Sequence, residues 1–179
     1  KWTHVQGLLA QSLFVVSLCE GIGAAFLALV CLGIRFQGVP AEQERALRSL
    51  TANSLPHLHQ LQDLKLVHSG TVGPPFAASR CKGIQVIAGP LPAVRRLRQK
   101  QGLGRPRSDP ILEVARIRDD CKRIADDHHV PLMQLVEDVA SMAAEYQHKL
   151  EEIFGPATLL HGADFGHTHR PRIYFGLPV

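Results

Sequence analysis

The sequence lacks the cysteine pattern of a disulfide-bonded or zinc-binding protein. Its four cysteines (Cys19, Cys31, Cys81 and Cys121) are widely separated and form no CxxC motif. Such usage favours reduced thiols, so we expect an intracellular protein. The chain also has no internal repeat and no low-complexity tail.

A complete set of metal ligands is absent from the sequence as well. The histidines include three close pairs, namely His57 with His59, His128 with His129, and His167 with His169. Residues 166–171 (GHTHRP) resemble a turn of the metallophosphoesterases, but the early Asp-x-His and the Gly-Asn-His motifs of that family are missing. Histidines without carboxylate partners are more often surface or turn residues, so we expect no bound metal.

The composition is that of one globular domain. Of the 179 residues, 45% are hydrophobic and 20% are charged, which is enough apolar material for a buried core. The net charge is +4, and six of the basic residues lie between positions 95 and 107 without an acidic one among them. This basic segment is either a solvated loop or a surface that attracts phosphates.

An apolar stretch over residues 7–34 allows two interpretations. It is long enough to cross a bilayer as one helix, which would make the chain a membrane-anchored protein. Against this, Glu20 lies near its centre, and Gly21 and Gly23 interrupt it. A buried strand, a glycine turn and a buried helix explain the same residues, so we expect no membrane span.

Apolar runs and helical periodicities alternate along the chain, which predicts an α/β fold with a mostly parallel sheet and helices on both faces. Residues 69–80 contain two glycines and two prolines and are predicted to be a loop. The predicted strands are Leu13–Leu18, Arg35–Val39, His57–Leu61, Ile84–Ala88, Leu132–Val136, Ala157–Leu160 and Arg172–Phe175. The predicted helices are Ala24–Leu32, Glu42–Asn53, Asp109–Asp127 and Met142–Phe154.

The strand, glycine turn and helix around residues 16–23 (VSLCEGIG) form a pattern that is typical of nucleotide cofactor sites. Glycines there let the backbone approach a ligand, and a helix N-terminus favours its polar groups. A tight turn without a ligand would give the same pattern.

Six further segments occur in an order that points to one family. They are Asp63 in LQDL, residues 83–90 (GIQVIAGP), residues 102–109 (GLGRPRSD) with 113–117 (EVARI), residues 135–142 (LVEDVASM), residues 163–166 (ADFG) and residues 169–176 (HRPRIYFG). Together with residues 16–23 they resemble the signatures of DNA (cytosine-5) methyltransferases, closest to the de novo branch. The resemblance covers about residues 13–179.

The resemblance implies a Rossmann-like, S-adenosylmethionine-dependent methyltransferase fold. Residues 1–179 would be a single domain, the catalytic, cofactor-binding half of such an enzyme, without its target-recognition region. The cofactor would be S-adenosylmethionine. The implied cofactor-binding residues are Leu18, Cys19, Glu20, Gly21, Ile22, Gly23, Glu42, Asp63, Gly89 and Pro90.

The family chemistry acts on a cytosine that is flipped out of the duplex, where a cysteine thiolate adds to C6 of the ring. By resemblance, Glu137 holds the N3 side of the base, and Arg172, with Arg170 as its neighbour, steadies O2. DNA is the implied partner, with an active methyltransferase chain as a further candidate, and a eukaryotic source would imply a nuclear location. The implied DNA-binding residues are Arg95, Arg96, Arg98 and Lys100.

The sequence departs from the family pattern at several positions that would take part in catalysis or in cofactor binding. Pro92 stands where the family has its nucleophilic cysteine, and Cys19 replaces an aromatic residue that packs on the cofactor. Ala41 takes the position of a ribose-binding glutamate, with Glu42 one position away, and Asp138 replaces an asparagine. We therefore expect a methyltransferase by descent with impaired catalysis. A non-catalytic S-adenosylmethionine- or DNA-binding or scaffolding relative is the first alternative, and a membrane-anchored protein is the second.

Overall fold

The structure, a computed structural model, describes residues 12–18, 24–41, 67–89, 110–164, 166 and 169–176. In chain order the elements are β1 (Leu13–Leu18), α1 (Ala24–Cys31), β2 (Phe36–Ala41), α2 (Ser69–Ser79), β3 (Gly83–Ala88), α3 (Pro110–Asp127), β4 (Leu132–Val139), α4 (Ala144–Phe154), β5 (Ala157–His161) and β6 (Pro171–Phe175). The predicted helix Glu42–Asn53 and the predicted strand His57–Leu61 lie outside the described residues.

The described strands form one six-stranded sheet in the order β2-β1-β3-β4-β6-β5. The four strands from β2 to β4 run parallel, whereas β6 pairs antiparallel with both β4 and β5. The predicted mostly parallel sheet is confirmed. The insertion of the last strand, reversed, between β4 and β5 is a feature that strand periodicity does not reveal.

Helices cover both faces of this sheet, because the central strands are apolar on both sides. All six residues of β1 are buried, and their side chains alternate between two clusters. Phe14, Val16 and Leu18 pack with α2, α3 and α4 on one face, which we name the α3 face. Leu13 and Val15 pack with α1 on the other, the α1 face.

The apolar stretch over residues 7–34 does not form one long helix. Its described part contains β1, a central strand of the sheet, and α1, a helix of eight residues. Among the described residues, no helix is both long enough and apolar enough to cross a membrane. The alternative of a single membrane-spanning helix at these positions is therefore wrong.

The predicted loop over residues 69–80 is also wrong, since these residues form α2 with Pro74 and Pro75 inside it. The helix begins with a capping box, in which His68 Nδ1 accepts a hydrogen bond from the Gly70 amide and Thr71 Oγ1 accepts one from the His68 amide. Val72 and Phe76, one helical turn apart, are buried in the core. Tertiary burial and a good cap thus outweigh two prolines, which local propensity alone does not predict.

The C-terminus of α4 is held by side chains from two neighbouring elements. Arg118 of α3 donates to the Ile153 carbonyl and lies over the Phe154 ring. Gln134 of β4 donates to the Phe154 carbonyl with an Nε2–O distance of 2.6 Å. These bonds satisfy carbonyl groups that a helix end otherwise leaves without partners. They also fix α4 against β4.

Gly176, directly after β6, lies against the same glutamine. Its φ is +83°, and a Cβ atom there would lie 2.7 Å from the backbone oxygen of Gln134. Gly155 also has a positive φ, of +91°, but a Cβ atom there would meet nothing within 4 Å. The two glycines therefore separate backbone strain from a steric clash.

We expect Gly176→Ala to lower the free energy of unfolding more than Gly155→Ala does. Both variants force alanine into a positive φ, which costs roughly 1–3 kcal/mol. Only Gly176→Ala must also move the backbone of β4, which adds about 1–3 kcal/mol. Urea denaturation of both variants measures the difference, and equal destabilisation would show that the contact with Gln134 is not tight.

Candidate functional site

The order in which successive strands join the sheet reverses between β1 and β3, so that a topological switch point lies at the carboxyl ends of these two parallel strands. From β1 the chain crosses through α1 to β2 on one side, and from β3 it crosses through α3 to β4 on the other. The carboxyl ends of the two strands are joined there, because the Gly89 amide donates to the Leu18 carbonyl at 2.9 Å. In open α/β sheets ligands bind at such a switch point.

Two of the residues that the sequence predicts to bind the cofactor, Leu18 and Gly89, meet at this switch point. Both are buried. The remaining predicted cofactor-binding residues lie outside the described residues, and so do Pro92 and the four predicted DNA-binding residues. Within the sequence, Cys19, Glu42 and Pro90 directly follow Leu18, Ala41 and Gly89, which end or adjoin β1, β2 and β3.

The structure brings Glu137 of β4 and Arg172 of β6 together, although 35 positions separate them in the chain. Arg172 Nε donates to Glu137 Oε1 at 2.9 Å, and Nη1 of the same guanidinium donates to the Pro171 carbonyl at 2.9 Å. The side chains are 14% and 28% exposed for Arg172 and Glu137 respectively. This partial burial makes the pair stronger than an ion pair in open water.

Strand register explains why these two side chains meet. In the antiparallel pairing of β4 with β6, Val139 lies opposite Arg172 and Glu137 lies opposite Tyr174. Glu137, Arg172 and Tyr174 therefore share the α1 face of the sheet, and diagonal neighbours across an antiparallel pair are within reach of long side chains. Arg170, which precedes β6, is exposed and does not join the ion pair.

Tyr174 is a member of this cluster that the sequence analysis missed. Its pKa is raised above the ordinary value, first by burial and then by the negative charge of Glu137, while Arg172 and Arg170 act in the opposite direction. The neutral phenol is thus maintained beside the ion pair. The alternation of Arg172, Ile173 and Tyr174 on a strand was the signal that could have indicated it.

Asp138 points to the opposite face of β4 and is fully buried. Its Oδ1 accepts a hydrogen bond from the Val139 amide at 2.6 Å, while Oδ2 has no hydrogen-bond partner among the residues the structure describes. Burial raises the pKa of this carboxyl from 3.8 to about 6, against the lowering effects of the Val139 amide and Arg172. An acidic group therefore stands at the position where the sequence resemblance implies a neutral amide.

No group of three or more histidine, cysteine, aspartate or glutamate side chains that could hold a metal ion occurs among the described residues. The cluster on β4 and β6 instead combines a carboxylate, a guanidinium and a phenol. Such a set can bind the polar edge of a planar heterocycle through hydrogen bonds. This cluster of Glu137, Arg172 and Tyr174 contains no thiol.

We expect Asp138→Asn to raise the free energy of unfolding by about 1–3 kcal/mol at pH 8. The pKa of Asp138 is higher in the folded chain than in the unfolded chain, so the folded state binds the proton more tightly. Protonation therefore stabilises the fold, and this contribution is lost as the pH rises from about 4 to about 6. In Asp138→Asn the free energy of unfolding should not show this decrease with rising pH.

Urea denaturation at pH 4.5 and at pH 8 measures the effect. Asp127→Asn, a change of the same kind at an exposed position, is the matched control. If the two variants show the same difference in stability between the two pH values, the carboxyl of Asp138 is not buried in the folded chain.

Two solved structures are similar to this chain in fold. A candidate DNA modification methyltransferase encoded within an E. coli prophage matches 91% of the chain with 21% identity and a TM-score of 0.61. The Dnmt2 methyltransferase of S. pombe matches 92% of it with 21% identity and a TM-score of 0.56. The chain spans about half the length of these proteins, 45% and 48% respectively.

No protein-family model matches the sequence, and neither does a curated protein. The resemblance in sequence is therefore carried by short motifs, while the similarity in structure extends over nine-tenths of the chain. The chain has the Rossmann-like fold of S-adenosylmethionine-dependent methyltransferases.

Proposed function

We infer that this chain is a DNA (cytosine-5) methyltransferase-like domain that binds cytosine but does not methylate it. The observation that carries this proposal is the Glu137–Arg172 ion pair beside the carboxyl end of β4 in a methyltransferase-type sheet. Both residues were assigned to base binding by their motifs, and they come together only through the fold. We also propose that the domain is most similar to the de novo branch of these methyltransferases, because its motifs resemble that branch.

The pair suits the hydrogen-bonding edge of cytosine. That edge presents an exocyclic amino group, which donates, beside N3 and O2, which accept. A carboxylate oxygen of Glu137 would accept from the amino group, and an N–H group of Arg172 would donate to O2. Because the ion pair already fixes both side chains, little conformational entropy is lost when a base binds.

The sequence after β3 explains why we expect binding without turnover. Methyl transfer to C5 requires a nucleophile that first adds to C6 of the ring, and the family supplies it as a cysteine thiolate. Gly89 ends the described part of this segment, and Pro90, Leu91 and Pro92 follow it. A proline side chain has no nucleophilic atom, so the covalent step has no group to perform it.

S-adenosylmethionine is the proposed cofactor, and it would supply the methyl group. The switch point between β1 and β3 supports this proposal, since ligands bind at such points and the Gly89 amide joins the carboxyl ends of the two strands through the Leu18 carbonyl. Glu42 would hold the ribose and Asp63 the adenine amino group, as the family motifs imply. We expect weak affinity, because Cys19 and Ala41 replace two residues that contact the cofactor in the family.

DNA is the proposed macromolecular partner. Arg95, Arg96, Arg98 and Lys100 belong to the segment that connects β3 with α3 and contains no acidic residue up to position 107. Contacts between these side chains and phosphates would strengthen binding in a salt-dependent way. A DNA-bound function implies a nuclear location in a eukaryotic source.

A second candidate function is a scaffold that supports an active methyltransferase chain. The absence of a thiol at position 92 favours it over an independent enzyme. In that case the base-binding cluster would be retained only as part of the fold, and removing it would change stability without changing affinity for a nucleotide.

We expect Arg172→Ala to weaken binding of deoxycytidine monophosphate at least tenfold, because a well-placed guanidinium contact is worth about 1–3 kcal/mol. Titration followed by NMR, with thymidine monophosphate as the mismatched ligand, measures it. Arg116→Ala is the matched control, since Arg116 forms its ion pairs with Glu113 and Asp120 within α3. Equal affinity of both variants and the unmodified chain would favour the scaffold.

We expect the unmodified chain to transfer no labelled methyl group from S-adenosylmethionine to duplex DNA, and Pro92→Cys to transfer it above that background. A thiolate at this position restores the missing nucleophile. Pro92→Ala removes the proline without adding a thiol and is the control. Robust methylation by the unmodified chain would overturn the proposal that catalysis is lost.

A further inference from the structure

Asp138 forms no ion pair among the residues that the structure describes, whereas its neighbour Glu137 is paired with Arg172. Its side chain is fully buried on the α3 face, and Oδ2 has no hydrogen-bond partner among the described residues. Opposite it on β6 lies Ile173, which is itself buried. A carboxylate in such surroundings is destabilised by the loss of its water.

The charges that act on this carboxyl come from the strands. Arg172 of β6 stabilises its ionised form, and Glu137 of β4 destabilises it. On the α3 face, α2 carries no charged side chain. Glu113 in the first turn of α3 pairs with Arg116, and Glu145 in the first turn of α4 pairs with Lys149. Among the described residues, Arg172 is the cation whose charge lowers the pKa of Asp138, and it is already paired with Glu137.

The position of Asp138 in the strand connects it with that ion pair. Its Oδ1 accepts from the Val139 amide, and Val139 is the residue opposite Arg172 in the sheet. Val139 is also the last residue of β4, and a turn follows it. Asp138 is thus hydrogen-bonded to the residue that pairs with Arg172 at the end of β4, and Arg172 is the partner of Glu137.

We propose that Asp138 is a proton-controlled latch on the base-binding cluster: its neutral form keeps the β4–β6 end closed, and its ionised form opens it. The ionised carboxylate is stabilised most when it becomes hydrated. The nearest route is local opening of the strand end, since Val139 closes the ladder there. Opening separates Val139 from Arg172 and so loosens the contact between Arg172 and Glu137.

The size of the effect follows from the two protonation equilibria. In the closed state the pKa of Asp138 is about 6, and in an open, hydrated state it returns toward 3.8. This difference of about two pH units makes the opening equilibrium up to about a hundredfold more favourable above pH 6 than below pH 4. An asparagine at this position has no proton to lose and stays closed at every pH.

The consequence for the site rests on the proposed function. If Glu137 and Arg172 bind cytosine, a closed strand end presents a preformed pair, whereas an open end must be ordered again on binding. The affinity for deoxycytidine monophosphate should then be higher at pH 5 than at pH 7.5 in the unmodified chain. In Asp138→Asn this pH-dependent component should disappear.

Amide hydrogen exchange of the full chain tests the latch without any ligand. We expect the protection factors of Val139 and Arg172, corrected for the intrinsic pH dependence of exchange, to fall about tenfold between pH 5 and pH 7.5. The midpoint should lie near pH 6. Amides of β1, in the centre of the sheet, should not follow this profile.

Two variants make the test specific. In Asp138→Asn the protection factors of Val139 and Arg172 should stay high throughout, and in Glu137→Gln the midpoint should move below pH 6, because the negative charge of Glu137 raises the pKa of Asp138. Constant protection in the unmodified chain, or the same pH profile in Asp138→Asn, would overturn the latch. If the protection factors of Val139 and Arg172 fall near pH 6 as expected but deoxycytidine monophosphate does not bind, the proposed function is overturned and the latch is supported.

Discussion

The antiparallel pairing of β6 with β4 is the constraint on which the described site depends. It places Arg172 diagonally across from Glu137 on one face of the sheet and fixes Ile173 against Asp138 on the other. Gly176 ends the strand in close contact with Gln134, and Gln134 in turn holds the carbonyl end of α4. The Glu137–Arg172 ion pair and the anchoring of α4 therefore depend on the same pairing of β4 with β6, so that a shift in register would disrupt both.

The second constraint is the switch point between β1 and β3. Because β1 is buried on both faces, its position is set by the core, and the Gly89–Leu18 hydrogen bond fixes the adjoining strand end beside it. This switch point is a property of the topology and not of any single side chain. The cofactor proposal depends on this placement, whereas the cytosine proposal depends on the ion pair. The two proposals therefore fail or succeed independently.

Local sequence reasoning succeeded where burial and propensity agree and failed where tertiary contacts decide. The continuous apolar runs of β1 and β3 identified central strands, and the periodic apolar face of α3 identified a helix. Residues 69–80 were predicted to be a loop because of Pro74 and Pro75. They form a helix since Val72 and Phe76 are buried in the core and His68 caps the N-terminus. The predicted cofactor- and DNA-binding residues outside the described ranges stay predictions.

The sequence by itself determined the α/β class, the central strands and the chemistry that Glu137, Arg172 and Pro92 offer or lack, because periodicity and residue type are local properties. Only the tertiary structure decided that β6 runs in reverse beside β4, that Tyr174 joins Glu137 and Arg172, and that Asp138 is buried without a cation of its own. The physical reason is that pairing partners and dielectric surroundings depend on residues far apart in the chain. Arg172 and Glu137, 35 positions apart, become one site only when the sheet closes.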